Sequence, residues 1–155
     1  MLLDELSEFC DATSCAATAG TALLGDVIDL GGTTNYLGDG EPIYLCIQTS
    51  TEIITAGSAG TIVFKLASDA AAAIATDGSA SVHITSPSYT TDDAAANSAE
   101  LNAGGVIYFG ALPADAYERY LGILCTVGTT EVTAGAINAF LTKDPHGWRA
   151  YPDAI

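Results

Sequence analysis

The sequence predicts an all-β fold: a single-domain β-sandwich or jelly-roll-like barrel with an N-terminal arm and an irregular C-terminal tail. Three observations predict it. Seven or eight short segments alternate apolar and polar residues or run β-branched. Clusters of Gly, Asp, Asn and Thr separate them, as in sandwiches and barrels. No fixed-period repeat and no composition break divides the 155 residues, a length suited to one domain.

Residues 1–25 read as arm and linker. Leu2, Leu3, Leu6 and Phe9 fall on one helical stripe between Asp4, Glu5, Ser7 and Glu8, but two turns are too short to hold alone in water. Such a segment either docks on its own domain or orders against another subunit. Asp11 to Gly25 is small and polar and reads as a loop or extended linker.

The β-domain is expected over 26–143. Val27 to Leu30 is a short strand ending at Gly31-Gly32. Glu41 to Thr49 places Ile43, Leu45 and Ile47 on one face and Tyr44, Cys46 and Gln48 on the other, the period of a strand. Thr51 to Thr55 is β-branched and meets the turn cluster Ala56 to Gly60, and Thr61 to Ala67 alternates again. Ser81 to Thr85, Gly104 to Leu112, the long apolar run Tyr120 to Val127, and Ala136 to Thr142 complete the strands. Asp69 to Ile74 and Asp92 to Leu101 are the internal helix candidates, each with an Asp at its start. The tail, 144–155, holds Pro145, Trp148, Tyr151 and Pro152 and reads as irregular.

Composition excludes several functions. Four Lys and Arg stand against 19 Asp and Glu, a net charge of −15, so no basic face exists to neutralise phosphates or anionic lipid. No nucleic-acid or membrane partner is expected, and no run approaches the ~20 apolar residues of a membrane span. The first basic residue is Lys65, so no positively charged signal region precedes an apolar stretch, and use without Sec export is expected. The four cysteines, Cys10, Cys15, Cys46 and Cys125, are then expected to be free thiols.

The motifs of chemistry are missing. Neither G-x-G-x-x-G nor a Walker lysine occurs, no C-x-x-C occurs, and His83 and His146 stand far apart. His83 reads as structural. Asp39 and Glu41 on a Gly-rich loop could ligate calcium, but a polar turn is the expectation. Neither catalytic residues nor a cofactor or metal is expected. Interaction residues are expected instead. Arg119 and Tyr120 sit in Tyr117-Glu118-Arg119-Tyr120-Leu121, where Arg119 can pair bidentately with a carboxylate, fixing a loop or a subunit contact; packing on its own domain is the expectation there. Trp148, Arg149 and Tyr151 in the tail are of the types enriched at interface hot spots and are assigned to an inter-subunit contact. Leu2, Leu3, Leu6 and Phe9 at the other end join the same set.

The order Val27-Ile28-Asp29-Leu30-Gly31, Gly38-Asp39-Gly40-Glu41-Pro42-Ile43-Tyr44, Gly104-Gly105-Val106-Ile107-Tyr108 to Pro113, Glu118-Arg119-Tyr120-Leu121, and Thr126-Val127-Gly128 with Thr133-Ala134-Gly135 resembles the capsid cement (decoration) proteins of tailed bacteriophages, of the Bordetella-phage family. Met1-Leu2-Leu3-Asp4 is similar to that family's start. The resemblance covers residues 1–4 and 26–143; the Ala- and Thr-rich stretch 12–22 and the tail depart from it. It implies jelly-roll-like domains, no catalysis, and a virion protein assembled in the host cytoplasm. Its implied partners are the major capsid protein, whose neighbouring subunits it ties together on the outer surface, and other copies of itself as dimer or trimer. A carbohydrate-binding or adhesin-like β-sandwich is the alternative, and it requires exposed aromatics on a sheet face or a calcium loop.

Overall fold

The first half of this chain pairs, in reverse order, with the second. β1 (Glu8–Ser14) lies antiparallel to β9 (Ala134–Thr142), β2 (Gly20–Asp29) to β8 (Tyr120–Gly128), and β3 (Tyr44–Ile54) to β7 (Val106–Ala111). β4 (Gly60–Asp69) pairs with β5 (Ser81–Thr85) and also with the short β6 (Tyr89–Thr91). The result is one long antiparallel ribbon folded back at the β4–β5 connection. Wrapping the ribbon brings β9 against β3 and β8 against β4. Two sheets follow, ordered β1-β9-β3-β7 and β2-β8-β4-β5. This is the strand order of a jelly roll, two sheets packed face to face. The computed structural model describes residues 5–55, 59–92 and 97–144.

The core lies between the sheets. Leu45, Ile47 and Ile137 from one sheet meet Ile62, Phe64, Leu66, Leu121 and Ile123 from the other, all at most 1% exposed. The apolar run Tyr120 to Val127 becomes β8, a central strand buried on both faces. Its inner residues join the main core, while Leu124 on the outer face packs with Ala67 and Ile74. Ile74 reaches that face because Gly122 has no Cβ; a Cβ there would come within 2.7 Å of the Ile74 Cδ1.

Three expectations are corrected. Asp11 to Gly25 is not a linker: it contributes most of β1 and half of β2, the edge strands that close one side of the sandwich. Residues 5–7 form a single 3-10 turn rather than the start of a helix, and the chain is extended from Glu8. The Ala-rich stretch after Asp69 is a loop. The Asp69 carboxylate accepts the Ala71 and Ala75 amides at 3.1 and 2.9 Å, and so holds the backbone in a turn that competes with helix. Of the second helix candidate, a 3-10 turn at Ala99–Leu101 is present among the described residues.

Strands separated in the expectation also merge. Tyr44–Ile54 is one strand, whose register slips between Thr49 and Thr51 and again before Ile54. All four cysteines are buried and free.

Candidate interaction surface

Register shifts on both strands shape the side where β1 and β2 meet: between Glu8 and Cys10 and between Cys10 and Thr13 on β1, and between Leu24 and Ile28 on β2. On β1 the register with β9 shifts between Cys10 and Thr13, and Ala12 takes a left-handed φ of 45°. The Asn138 side-chain oxygen accepts the Ala12 amide at 2.6 Å, so the amide freed by the bulge stays bonded. On β2 the register with β8 shifts between Leu24 and Ile28, around Gly25 at φ 62°. Glycine is required there twice over: for the conformation, and because a Cβ would run into the Phe9 carbonyl of β1. The two strands belong to different sheets, and this contact brings their backbones together at the sandwich edge. Bulges at sheet edges re-aim side chains.

Between the bulged strands runs an open groove of about 1010 Å³, lined by Glu5, Leu6, Glu8, Phe9, Cys10, Asp11, Asp26, Val27, Ile28 and Asp29. Its floor is apolar and its rim acidic. Burial raises the Glu8 carboxyl above the ordinary carboxylate range, and the neighbouring Asp11 and Glu5 charges push it the same way. At one end Arg119 grips Asp29 with two bonds of 2.9 Å, from Nε to Oδ1 and from Nη2 to Oδ2. That bond and the Gly31 amide hold the Asp29 carboxyl below its usual range. The guanidinium carbon stands 5.0 Å from the centre of the Tyr120 ring, close enough for a cation–π contact.

The expected interaction residues therefore divide. Leu6, 80% exposed, and Phe9 both line the groove, while Arg119, stacked over Tyr120, pairs with its lining residue Asp29. Phe9 is corrected in role: its ring is 1% exposed and belongs to the core, so it is not an attachment side chain waiting for a partner. Leu2, Leu3, Trp148, Arg149 and Tyr151 lie outside the described residues. Asp26, Val27 and the Asp29 pairing were not singled out from the sequence; the carboxylates are common in this chain, and only the bulges bring these together.

A second cluster was invisible in the sequence. Ser68 Oγ lies 2.8 Å from His83 Nε2, and His83 Nδ1 lies 3.1 Å from Asp115 Oδ2. An ionised carboxylate only accepts, so Nδ1 carries the proton and, in the neutral ring, Nε2 accepts from the Ser68 hydroxyl. Ser68 Oγ accepts the Glu118 amide at 3.1 Å in turn. The imidazole packs on Tyr117, ring centres 4.1 Å apart, and the Tyr117 hydroxyl donates to the Pro113 carbonyl at 2.7 Å. The connectivity is that of a Ser–His–Asp triad. Ser68, however, is 0% exposed, so a substrate carbonyl has no approach to its Oγ. The cluster instead ties β4 and β5 to the segment leading into β8.

Glu41 is engaged by Lys143 at 2.7 Å, and among the described residues no three His, Cys, Asp or Glu side chains converge to hold a metal ion. On the outer face of the β3–β7 pair, Tyr44 and Phe109 stack in parallel, centres 5.8 Å apart and planes 8° apart, with Phe109 38% exposed. No helix among the described residues is long and apolar enough to cross a membrane.

A family model, Bbp16, matches residues 9–141, nearly the whole β-domain with β1 and β2 included. The chain belongs to the Bbp16 family. This is a family of Bordetella phage proteins, in keeping with the resemblance read from the sequence. Among curated proteins no sequence matches the chain. The family match begins at Phe9, so the Asp11 to Gly25 stretch lies within it.

Proposed function

We propose that this Bbp16-family chain is a non-enzymatic structural protein of the virion that binds the outer capsid surface and cements neighbouring major capsid subunits. The observation that carries the reading is membership of a Bordetella phage family, over a span that coincides with the jelly roll. Three features support it. The Ser68–His83–Asp115 constellation, which has catalytic connectivity, is sealed around Ser68. The charge of −15 keeps decorated particles apart in solution. A protein that binds only the assembled lattice stabilises it against disassembly by mass action, and many modest contacts around a shell act together.

Co-sedimentation with shells of the cognate major capsid protein tests the proposal. Saturable binding to shells, absent for unassembled capsid subunits, with a rise in the shells' disassembly temperature, is the expected result. Failure to bind at micromolar concentration removes the proposal. The stacked Tyr44–Phe109 pair favours a second reading, a carbohydrate-binding sandwich, since partly exposed aromatic faces suit sugar rings. Binding to a glycan array that Phe109→Ala abolishes would establish that reading in place of the first.

A further inference from the structure

We propose that the groove between the β1 and β2 edges seats an extended cationic segment of the capsid subunit, with Lys or Arg side chains flanking an apolar residue. The proposal rests on the capsid reading above and adds the chemistry of the contact. The groove lining includes Val27 and Ile28, both half-buried, and Leu6, which is exposed. An apolar side chain of the partner fits there. The rim offers Glu5, Glu8, Asp11 and Asp26; among the described residues none of these four forms an ion pair. Arg119, the one basic residue in contact with the groove's lining among those described, is committed to Asp29.

Charge decides what enters. The Asp11 and Glu5 charges bear on Glu8, and bringing in positive charge relieves that repulsion. An anionic or acidic segment would add to it. A single divalent ion is a poorer match than a chain, because the carboxylates are spread along the groove rather than gathered into a ligand set. A segment with several cations spaced along it can meet them one after another. Electrostatic complementarity of this kind sets partner choice and association rate.

The test uses the full chain and capsid shells assembled without it. One variant carries Glu5→Lys, Asp11→Lys and Asp26→Lys. A control carries Asp39→Lys, Glu52→Lys and Glu131→Lys, the same change in net charge placed away from the groove. Thermal melts establish that both remain folded. Wild type is expected to bind shells more weakly as salt rises; the groove variant loses about tenfold or more in affinity, and the control stays within about twofold. Equal affinities for the two variants, or equal losses, overturn the groove as the contact while leaving the capsid reading intact. If wild type itself ignores shells, the capsid reading fails, and the groove is judged by a second arm. In that arm the peptide Lys-Leu-Lys-Leu-Lys is titrated into the protein and followed by amide chemical shifts. Saturable shifts at Phe9, Val27 and Ile28, absent with Glu-Leu-Glu-Leu-Glu, support a cation-selective groove; no shifts there overturn it.

Discussion

Phe9 separates an arm from a core strand, because the two assignments give opposite outcomes on truncation. Its ring is 1% exposed and packs in the main core, and its carbonyl lies against Gly25 of β2. A buried aromatic removes about 150–250 Å² from water. At roughly 25 cal/mol per Å² this amounts to ~4–6 kcal/mol, an upper bound because the unfolded chain also hides surface. Phe→Ala changes in rigid cores cost about 3–5 kcal/mol. For a chain of 155 residues, each kcal/mol shifts Tm by about 2–4 °C, so Phe9→Ala should lower Tm by roughly 6–20 °C. Circular dichroism melts and urea midpoints near neutral pH measure it. Leu6→Ala is the comparison: that side chain is 80% exposed, and its loss should stay within ~0.5 kcal/mol. A Phe9→Ala loss below about 1 kcal/mol, or an unchanged transition after deletion of residues 1–11, would refute the assignment of β1 to the core.

Ser68→Ala leaves the Glu118 amide and His83 Nε2 without their shared partner, and should destabilise the fold by about 1–3 kcal/mol in urea titrations; no measurable change would mean the cluster holds nothing. Burial pushes the Cys10 and Cys46 thiols up to about 11 and Cys125 to about 12, and raises Cys15 as well. Iodoacetamide near neutral pH should therefore leave the folded protein unlabelled and add to all four thiols once it is denatured; rapid native labelling, or a missing thiol, contradicts this. Hydrogen bonds hold four aspartates below their usual range: Asp29 by Arg119, Asp69 by the Ala75 amide, Asp77 by Ser79, and Asp115 by the Ala116 amide and then His83. Their contribution is present above the unfolded Asp value of ~3.9 and is lost as pH falls through the lower folded values. Glu8, raised by burial, acts in the opposite direction and offsets a part of the loss. Tm should fall as pH drops from about 5 to 2, and Asp115→Asn should flatten that fall; a Tm independent of pH over this range would contradict the assignment.

How much of this was legible follows from where each strand sits. Central strands announce themselves. The run Tyr120 to Val127 is apolar on both faces because β8 lies between β2 and β4 with Ile74 over its outer side. Edge strands do not. β1 and β2 each pair on one side only, carry small residues, and reach their partners β9 and β8 more than ninety residues away. No local pattern encodes a pairing of that range. The Ser68–His83–Asp115 chain is hidden for the same reason: β4, β5 and the approach to β8 supply one residue each. The Ala run after Asp69 misled because helix propensity is a weak prior beside a carboxylate that caps two amides and an Ile74 buried in a satellite core.

The failure at 11–25 and the groove have one origin. A bulge inserts residues that break period-two alternation, so the pattern that marks a strand disappears where a bulge lies. Asp11 and Ala12 do this on β1; Gly25, Asp26 and Val27 do it on β2. These are the stretches that carry Asp11, Asp26 and Val27 into the groove. Straight, unbulged edges of the same length would have alternated legibly and would have turned these side chains to the faces of their sheets. Sequence reasoning tends to fail where a protein departs from local regularity for a purpose. Removing the shift between Cys10 and Thr13, by deleting Ala12, should therefore leave a folded sandwich with alternation restored over that stretch and a disrupted groove. Retained melting with lost affinity for cationic peptide is the expected pair of results. A straightened edge that keeps full peptide affinity would show that the bulges serve packing alone.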